Sequence, residues 1–138
     1  MLNLSPVRPQ LSARWREADY LIVNKVEFAQ LVGEGSTIRT ALPGAGEIVV
    51  TLGDQGLVAQ LGGVLHERPA HRVVPVDTTG AGDCFCGVFA ATLALGGTAE
   101  EAIDFANAAA GLSVRTTGAA PSMPYRDAVL RLLDSRAT

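Results

Sequence analysis

The run from Cys84 to Leu95 constrains the fold more than any other part of the sequence, because its twelve residues include no charged side chain. A membrane-spanning helix needs about 20 apolar residues, so this run is too short to cross a bilayer. A helix that is apolar on every side is instead typical of a protein interior. We therefore expect a helix over residues 82–95 that is buried all round by other elements.

The rest of the chain alternates apolar, β-branched runs with helical patterns. Strands are predicted at residues 2–4, 19–23, 47–52, 57–61, 64–67 and 72–76. Helices or helical turns are predicted at residues 12–18, 24–32, 37–42, 98–115 and 125–133. This alternation predicts an α/β fold with a mostly parallel sheet covered on both faces. The strands on either side of Gly62-Gly63 are expected to form a local antiparallel hairpin.

The composition is that of one ordinary folded domain. Of the 138 residues, 48% are apolar and 18% are charged, a balance that excludes a disordered chain. The net charge of −3 argues against nucleic acid as a partner. The N-terminal residues lack the basic and apolar segments of a signal peptide, and we expect no membrane partner.

The cysteines, histidines and lysine exclude several kinds of site. Cys84 and Cys86 would point to different sides of a helix and could not pair. They have no Cys/His partner set for zinc, so we expect reduced thiols in a cytoplasmic protein. His66 and His71 are interpreted as strand or loop residues rather than ligands. The single lysine, Lys25, is not followed by Ser or Thr, which excludes a P-loop.

The densest chemical signal is the segment VDTTGAGDCF at residues 76–85. Residues 80–82 have little or no side chain, so their backbone N–H groups can approach an anion at the positive end of a helix. Asp83 could accept a proton from a hydroxyl there, which is the arrangement that phosphoryl transfer needs. On these residues alone, two alternatives stay open. Asp83 could simply cap a helix, or the glycines could bind a dinucleotide, although Phe85 occupies the third glycine position.

The string at residues 77–85 resembles the C-terminal signature of the ribokinase-like (PfkB) carbohydrate kinases. Four further blocks agree in order and spacing: NKVE at 24–27, VTLGDQG at 50–56, ANAAA at 106–110 and GAAPSMP at 118–124. The last block is most similar to ribokinases proper. The resemblance covers essentially the whole chain but only the C-terminal half of the family's chains.

The resemblance implies a three-layer α/β sandwich with a mostly parallel sheet. We expect residues 1–138 to be the C-terminal, ATP-binding half of a ribokinase-like kinase domain, truncated and without the N-terminal half and its lid. Compared with the family pattern, Lys25 stands where an acid is frequent, and Cys86 stands where a small polar residue is common. Neither position carries the implied chemistry.

The resemblance also implies roles for individual residues. Asp83 matches the catalytic base, and the anion hole is formed by Gly80, Ala81 and Gly82. Asn24 and Glu27 match the pair that organises Mg²⁺, through water, and the ATP phosphates. Thr51, Gly53 and Gly56 match the loop beneath the nucleotide phosphates, and Asn107 matches a position beside the adenosine. An implied K⁺ site has side-chain ligands from Asp77 and Ser122, and backbone carbonyl ligands from Thr79, Ser113, Thr116 and Gly118.

Simpler structural roles remain open for several of these residues. Asn24 and Glu27 have the spacing of a capping box, and both roles can hold at once. The loop at residues 51–56 could be a plain hairpin turn, and Asn107 could be a polar residue tolerated within a helix.

The implied reaction is transfer of the γ-phosphoryl group of MgATP to a primary hydroxyl of a sugar. Ribose is favoured by the C-terminal block, while fructose, a ketodeoxy sugar acid or a nucleoside stay open. A second hypothesis is a truncated, non-catalytic nucleotide-binding remnant, and a third is a dinucleotide-dependent oxidoreductase. A homodimer, or association with the missing N-terminal half, is also compatible with the sequence.

Overall fold

The computed structural model describes residues 1–3, 17–38 and 46–137, which form two compact units. The first unit, Met1–Pro69, is called here the sheet unit, and the second, Ala70–Thr138, the helical unit. The helix predicted at residues 12–18 and the helical turn predicted at 37–42 lie in large part outside the described residues.

Among its described residues, the sheet unit contains five strands that lie side by side in chain order. They are β1 (Leu2–Asn3), β2 (Tyr20–Asn24), β3 (Glu47–Thr51), β4 (Leu57–Leu61) and β5 (Val64–Arg68). Among the described residues, β2 pairs in parallel with β1 and β3, whereas β3–β4 and β4–β5 are antiparallel. The sheet is therefore mixed, and the prediction of a mostly parallel sheet is wrong. The connections after β3 and β4 are too short for parallel crossovers, which need a dozen or more residues.

The predicted hairpin at Gly62-Gly63 is confirmed as the β4–β5 connection. Gly62 and Gly63 have φ values of 56° and 77°, and two successive positive φ values match the twist of the flanking strands. The Gly62 N–H donates a hydrogen bond of 2.7 Å to the Glu47 carboxylate at the start of β3. The turn is thus fixed to β3, the strand that pairs with β4.

The two central strands β2 and β3 supply the core of the sheet unit. Leu21, Ile22 and Val23 in β2, and Ile48, Val49 and Val50 in β3, are all buried. Helix α1 (Lys25–Val32) begins directly after β2, and its Phe28 packs into the same cluster. The position of the β2–α1 junction is therefore set by a continuous apolar core.

The helical unit contains three further helices, α2 (Ala81–Ala94), α3 (Ala99–Ser113) and α4 (Arg126–Ala137). Helix α3 begins with the predicted N-cap, in which Thr98 and Glu101 form a reciprocal capping box. Its Ala108 and Ala109 are fully buried in a cluster with Cys84 of α2 and Val129 of α4. Small alanine side chains allow the helices to approach closely.

Two expectations for the helical unit are corrected. Residues 72–76 form no strand in the described part of the chain. The Val76 N–H donates to Val114 O at 2.7 Å rather than to a neighbouring strand, and Pro75 has no N–H to donate. Helix α2 is not buried all round, since Gly87 and Ala91 are exposed. Its large side chains lie on one side of the helix. The prediction from the lack of charged residues therefore overestimated how much of the helix is buried. No helix in the described ranges has the length and apolar character needed to span a membrane.

Replacement of Gly46 by alanine tests the close backbone approach at the start of β3. An ideal Cβ at Gly46 would lie 2.6 Å from Asp19 O and 2.9 Å from Ala18 O, and backbone atoms cannot rotate away. We expect Gly46→Ala to lower the free energy of unfolding by about 1–3 kcal/mol. Chemical denaturation followed by circular dichroism measures it.

Gly87→Ala is the matched control, because a Cβ there meets no atom within 4 Å. Alanine in the middle of a helix should leave the stability unchanged or raise it by up to about 1 kcal/mol. Equal denaturation midpoints for Gly46→Ala and the unmodified chain would contradict the steric argument.

Candidate functional site

The carboxyl ends of β2 and β3 bring two predicted nucleotide contacts together. The strands are parallel, and their register pairs Asn24 with Thr51, the last residue of each strand. The turn that begins at Gly53 follows directly. Ligands of α/β sheets bind outside the carboxyl ends of parallel strands, so this edge of the sheet unit has the usual position of a ligand site.

Asn24 and Glu27 form the capping box that their spacing allows. The Glu27 N–H donates to the Asn24 side chain at 2.9 Å, and the Asn24 N–H donates to the Glu27 carboxylate at 2.8 Å. The Glu27 side chain is buried, whereas Asn24 is exposed. The structural role of the pair is confirmed, and its contribution to ATP or Mg²⁺ binding stays a prediction.

The loop after β3 is a tight turn that needs glycine for its backbone conformation. Gly53 and Gly56 have φ values of 62° and 99°. The Leu52 N–H donates to Gly56 O at 2.8 Å, and the Gly56 N–H donates to Gly53 O at 3.1 Å. An ideal Cβ at Gly53 would meet no atom within 4 Å. The turn joins β3 to β4 as a hairpin, and its surface at Gly53 is open.

The start of α2 leaves amide donors without a helical partner. Gly80 is the N-cap, with φ 77° and ψ 3°, and as a glycine it has no side chain with which to cap the helix. The first bond within the helix runs from the Cys84 N–H to Gly80 O at 2.8 Å. The N–H groups of Gly82 and Asp83 lie before it, where helical geometry offers no carbonyl. Both residues are exposed, so two donors and one carboxylate share the positive end of α2.

Asp83 is not the N-cap residue of α2. The N-cap position belongs to Gly80, and Asp83 lies in the first turn. A carboxylate there is favoured by the helix dipole, so a purely structural role for Asp83 at the helix start stays open.

Asp77 is the centre of the predicted cation-binding residues in the helical unit. One carboxylate oxygen accepts the Thr79 N–H at 2.9 Å, and the other accepts the Gly118 N–H at 2.8 Å. Hydrogen bonds from the Thr79 side chain, the Gly118 amide and the Thr79 amide lower the pKa of Asp77 from 3.8 to about 2. Asp77 is therefore an anion at neutral pH and joins two segments of the chain.

The other predicted cation ligands lie between the last residue of α3, Ser113, and Ser122. Ser113 O accepts the Thr116 N–H at 3.3 Å, and the buried Ser113 hydroxyl donates to Ala110 O at 2.9 Å. The Ser122 hydroxyl donates to Ala119 O at 2.6 Å. Carbonyl, hydroxyl and carboxylate oxygens all keep lone pairs after these bonds. The donor set is all oxygen and fits a hard cation such as K⁺.

The predicted residues divide between the two units. Asn24, Glu27, Thr51, Gly53 and Gly56 lie in the sheet unit. The helical unit holds all the others, including Asn107, which is half-buried in α3. Within the described ranges, no group of three or more His, Cys, Asp or Glu side chains could hold a metal ion.

Sequence reasoning missed the contact of Ala119 with Gly80. An ideal Cβ at Gly80 would lie 2.8 Å from Ala119 Cβ and 3.1 Å from Ala119 Cα. Ala119 belongs to the block GAAPSMP, but no local pattern links it to a glycine so distant in the chain.

Acid titration tests the role of Asp77 as a charged link. Because its pKa is lower in the fold than the ordinary 3.8, its stabilisation is complete above about pH 4 and is lost as the pH falls toward about 2. We expect Asp77→Asn to unfold at lower temperature at pH 7 and to lose less stability between pH 4 and pH 2. Thermal melts from pH 2 to 7 measure both effects.

The control for this titration is Asp134→Asn, which changes an exposed aspartate of α4. It should keep the acid dependence of the unmodified chain. If the curves of Asp77→Asn and the unmodified chain fall in parallel, the Asp77 link does not contribute to stability.

Comparison with known proteins identifies relatives over almost the whole chain. The model of the pfkB family carbohydrate kinases matches residues 1–126. Ribokinase from Bacillus subtilis (strain 168) is 39% identical over 133 residues, which cover 96% of this chain and 45% of the relative. Fructokinase-1 from Oryza sativa subsp. japonica is 34% identical over 140 residues, with coverages of 93% and 43%. The chain thus spans less than half the length of these relatives.

Solved structures agree with the sequence relatives. Ribokinase from Thermotoga maritima gives a TM-score of 0.85 at 33% identity, covering 96% of this chain and 48% of that one. Arabidopsis thaliana ribokinase complexed with ribose and ATP gives 0.76 at 34% identity, with coverages of 88% and 43%. An E. coli protein assigned as ribokinase II, in complex with ATP and Mg²⁺, gives 0.81 at 27% identity, with coverages of 91% and 42%.

The described residues therefore have the α/β ribokinase-like fold over about half the length of these structures. Because the family model also matches most of the sequence, this chain belongs to the pfkB family of carbohydrate kinases.

Proposed function

We propose that this chain is the ATP-binding part of a sugar kinase that transfers the γ-phosphoryl group of MgATP to a primary hydroxyl of ribose. The observation that carries the proposal is the start of α2, where the exposed N–H groups of Gly82 and Asp83 lie beside the Asp83 carboxylate. Support for ribose comes from the ribokinase relatives and from the Arabidopsis ribokinase complexed with ribose and ATP. A fructokinase relative at 34% identity keeps fructose as the alternative sugar.

Asp83 is proposed to act as the general base. Its carboxylate accepts the proton of the sugar hydroxyl as that oxygen forms a bond to the γ-phosphorus, and the bond to the ADP oxygen breaks. The backbone donors of Gly80, Ala81 and Gly82 hold the oxygens of the transferred group, where charge must be stabilised. The Ala81 N–H already donates a long bond of 3.2 Å to Thr78 O, so Gly82 and Asp83 offer the better donors.

The sheet unit is proposed to contact the nucleotide. Asn24, Thr51 and Gly53 share the carboxyl edge of β2 and β3, and the open surface at Gly53 lets a phosphate approach the backbone. Gly56 holds that turn, and Asn107 of α3 is proposed to lie beside the adenosine. These assignments rest on the family resemblance together with the edge geometry.

Two cations complete the proposal. Mg²⁺ would neutralise phosphate charge when bound, and Asn24 and Glu27 are proposed to orient it through water. K⁺ is proposed at the oxygen atoms around Asp77, where the carboxylate already joins Thr79 and Gly118.

Asn24→Ser separates the capping role of Asn24 from its proposed nucleotide contact. Serine caps helices about as well as asparagine, so the free energy of unfolding should change by less than about 0.5 kcal/mol. The affinity for MgATP should fall by about 3- to 10-fold, the equivalent of one hydrogen bond. Calorimetric titration and denaturation measure the two quantities on the same samples.

Thr98→Ser is the matched control, because it keeps the equivalent capping box of α3 and is not a proposed nucleotide contact. It should leave MgATP affinity unchanged. If Asn24→Ser binds MgATP as tightly as the unmodified chain, Asn24 is a helix cap only.

Asp83→Asn tests the proposed base. The substitution keeps the side-chain shape, so MgATP binding should stay within about 2-fold, while ribose-dependent ADP formation should fall by about 10²–10⁴-fold. Asp127→Asn removes an aspartate from the first turn of α4 and should change neither quantity. Unchanged turnover in Asp83→Asn would remove Asp83 as the base.

A second candidate function is a nucleotide-binding module without kinase activity. It is favoured because this chain matches less than half of its relatives: 45% of the Bacillus ribokinase and 48% of the Thermotoga chain. MgATP binding without ribose-dependent ADP formation would support this candidate over the kinase. Membership of the family leaves the dinucleotide-dependent oxidoreductase hypothesis without support.

A further inference from the structure

The backbone around the start of α2 is attached to a single segment of the helical unit. We call residues 78–82 the phosphate turn and residues 114–119 the supporting loop. Val114 O accepts the N–H groups of Val76 at 2.7 Å and Asp77 at 3.1 Å, and the Asp77 carboxylate accepts the Gly118 N–H at 2.8 Å. These hydrogen bonds fix Val76 and Asp77, which directly precede the phosphate turn.

One further contact lies at the N-cap of α2 itself. An ideal Cβ at Gly80 would be 2.8 Å from Ala119 Cβ and 3.1 Å from Ala119 Cα, closer than real Cβ atoms approach. The Gly80 backbone therefore lies directly against Ala119. The hydrogen bonds to Val114 and Gly118 are made by residues 76 and 77. Ala119 instead contacts Gly80, the residue at which the helix begins.

We infer that Ala119 is a positioning residue for phosphoryl transfer, and this inference rests on the proposed function. The Ala119 side chain limits how closely the supporting loop can approach Gly80, and Gly80 sets the direction of the Gly82 and Asp83 N–H groups. A β-branched residue fills two of the three staggered positions around Cβ, so it has little freedom to turn away from Gly80. The turn would have to move instead.

Such a displacement should weaken anion binding, because N–H groups that point away from the anion lose their charge-assisted hydrogen bonds, each worth roughly 10-fold in affinity. Ala119→Gly removes the methyl group without pushing the turn, and it leaves the Asp77–Gly118 bond in place. Ala119→Ser adds a single atom. The side chain at position 119 grows in the series Gly, Ala, Ser and Val. Its steric contact with Gly80 therefore increases stepwise while the catalytic residues stay unchanged.

The experiment is nuclear magnetic resonance of the ¹⁵N-labelled full chain, with inorganic phosphate as the probe. Phosphate should shift the amide signals of Gly82 and Asp83. We expect Ala119→Val to raise the phosphate dissociation constant by at least ~10-fold. The dissociation constant of Ala119→Gly should stay within about 2- to 3-fold of that of the unmodified chain. The matched control Ala91→Val places the same change on an exposed position of α2 and should have no effect.

The signals of the phosphate-free protein provide a second readout. The amide signals of Gly80, Gly82 and Asp83 should move progressively along the series Gly, Ala, Ser and Val, and should not move in Ala91→Val. Should Ala119→Val fail to fold, the serine variant still supplies the graded shift. An unchanged spectrum at these three amides throughout the folded variants would overturn the inference.

The two readouts keep this inference separate from the proposed function. If the unmodified chain shows no response to phosphate at Gly82 and Asp83, the proposed anion site is wrong. The graded movement of the phosphate-free signals would still report whether Ala119 sets the position of the turn. A folded Ala119→Val that binds phosphate as tightly as Ala91→Val would count against Ala119 alone.

Discussion

The Asp77 carboxylate is the interaction on which the start of α2 depends. Its two oxygens accept the amides of Thr79 and Gly118, which lie far apart in the sequence, and its pKa of about 2 keeps it charged at neutral pH. A charged carboxylate can accept two N–H groups at once, whereas a neutral acid would donate through one oxygen. Through these two hydrogen bonds, the charged carboxylate links the loop before α2 to the loop after α3.

The starts of α1, α2 and α3 differ in how their amide donors are satisfied. Capping boxes from Asn24 and Thr98 satisfy amide donors of α1 and α3. Helix α2 begins at Gly80 with no side-chain cap, and its first-turn amides stay exposed. An uncapped helix start has a cost in stability, which a bound anion can offset. This contrast favours a ligand at α2 over the other two starts.

Local sequence signals predicted the local structure well. The strands of the sheet unit, the Gly62-Gly63 turn and the capping box at Thr98 depend on residues a few positions apart, and the structure confirms them. Two misses arose where partners are distant in the chain. The valines of residues 72–76 indicated a strand, yet their segment bonds to Val114, and the Ala119 contact with Gly80 has no sequence signal. The residue roles came from the family resemblance, since spacing alone left the alternatives for Asn24 open.

Phosphate binding and proton transfer make different demands on this chain. Backbone donors at the start of α2 can hold a phosphate wherever the helix itself is formed, because the N–H groups and dipole belong to the backbone. The proposed base, Asp83, would need a sugar hydroxyl held within hydrogen-bond reach of its carboxylate. Most of the rate of such a reaction comes from that placement. Nucleotide binding and sugar phosphorylation are therefore separable properties, and a chain spanning less than half the length of its relatives can have the first without the second.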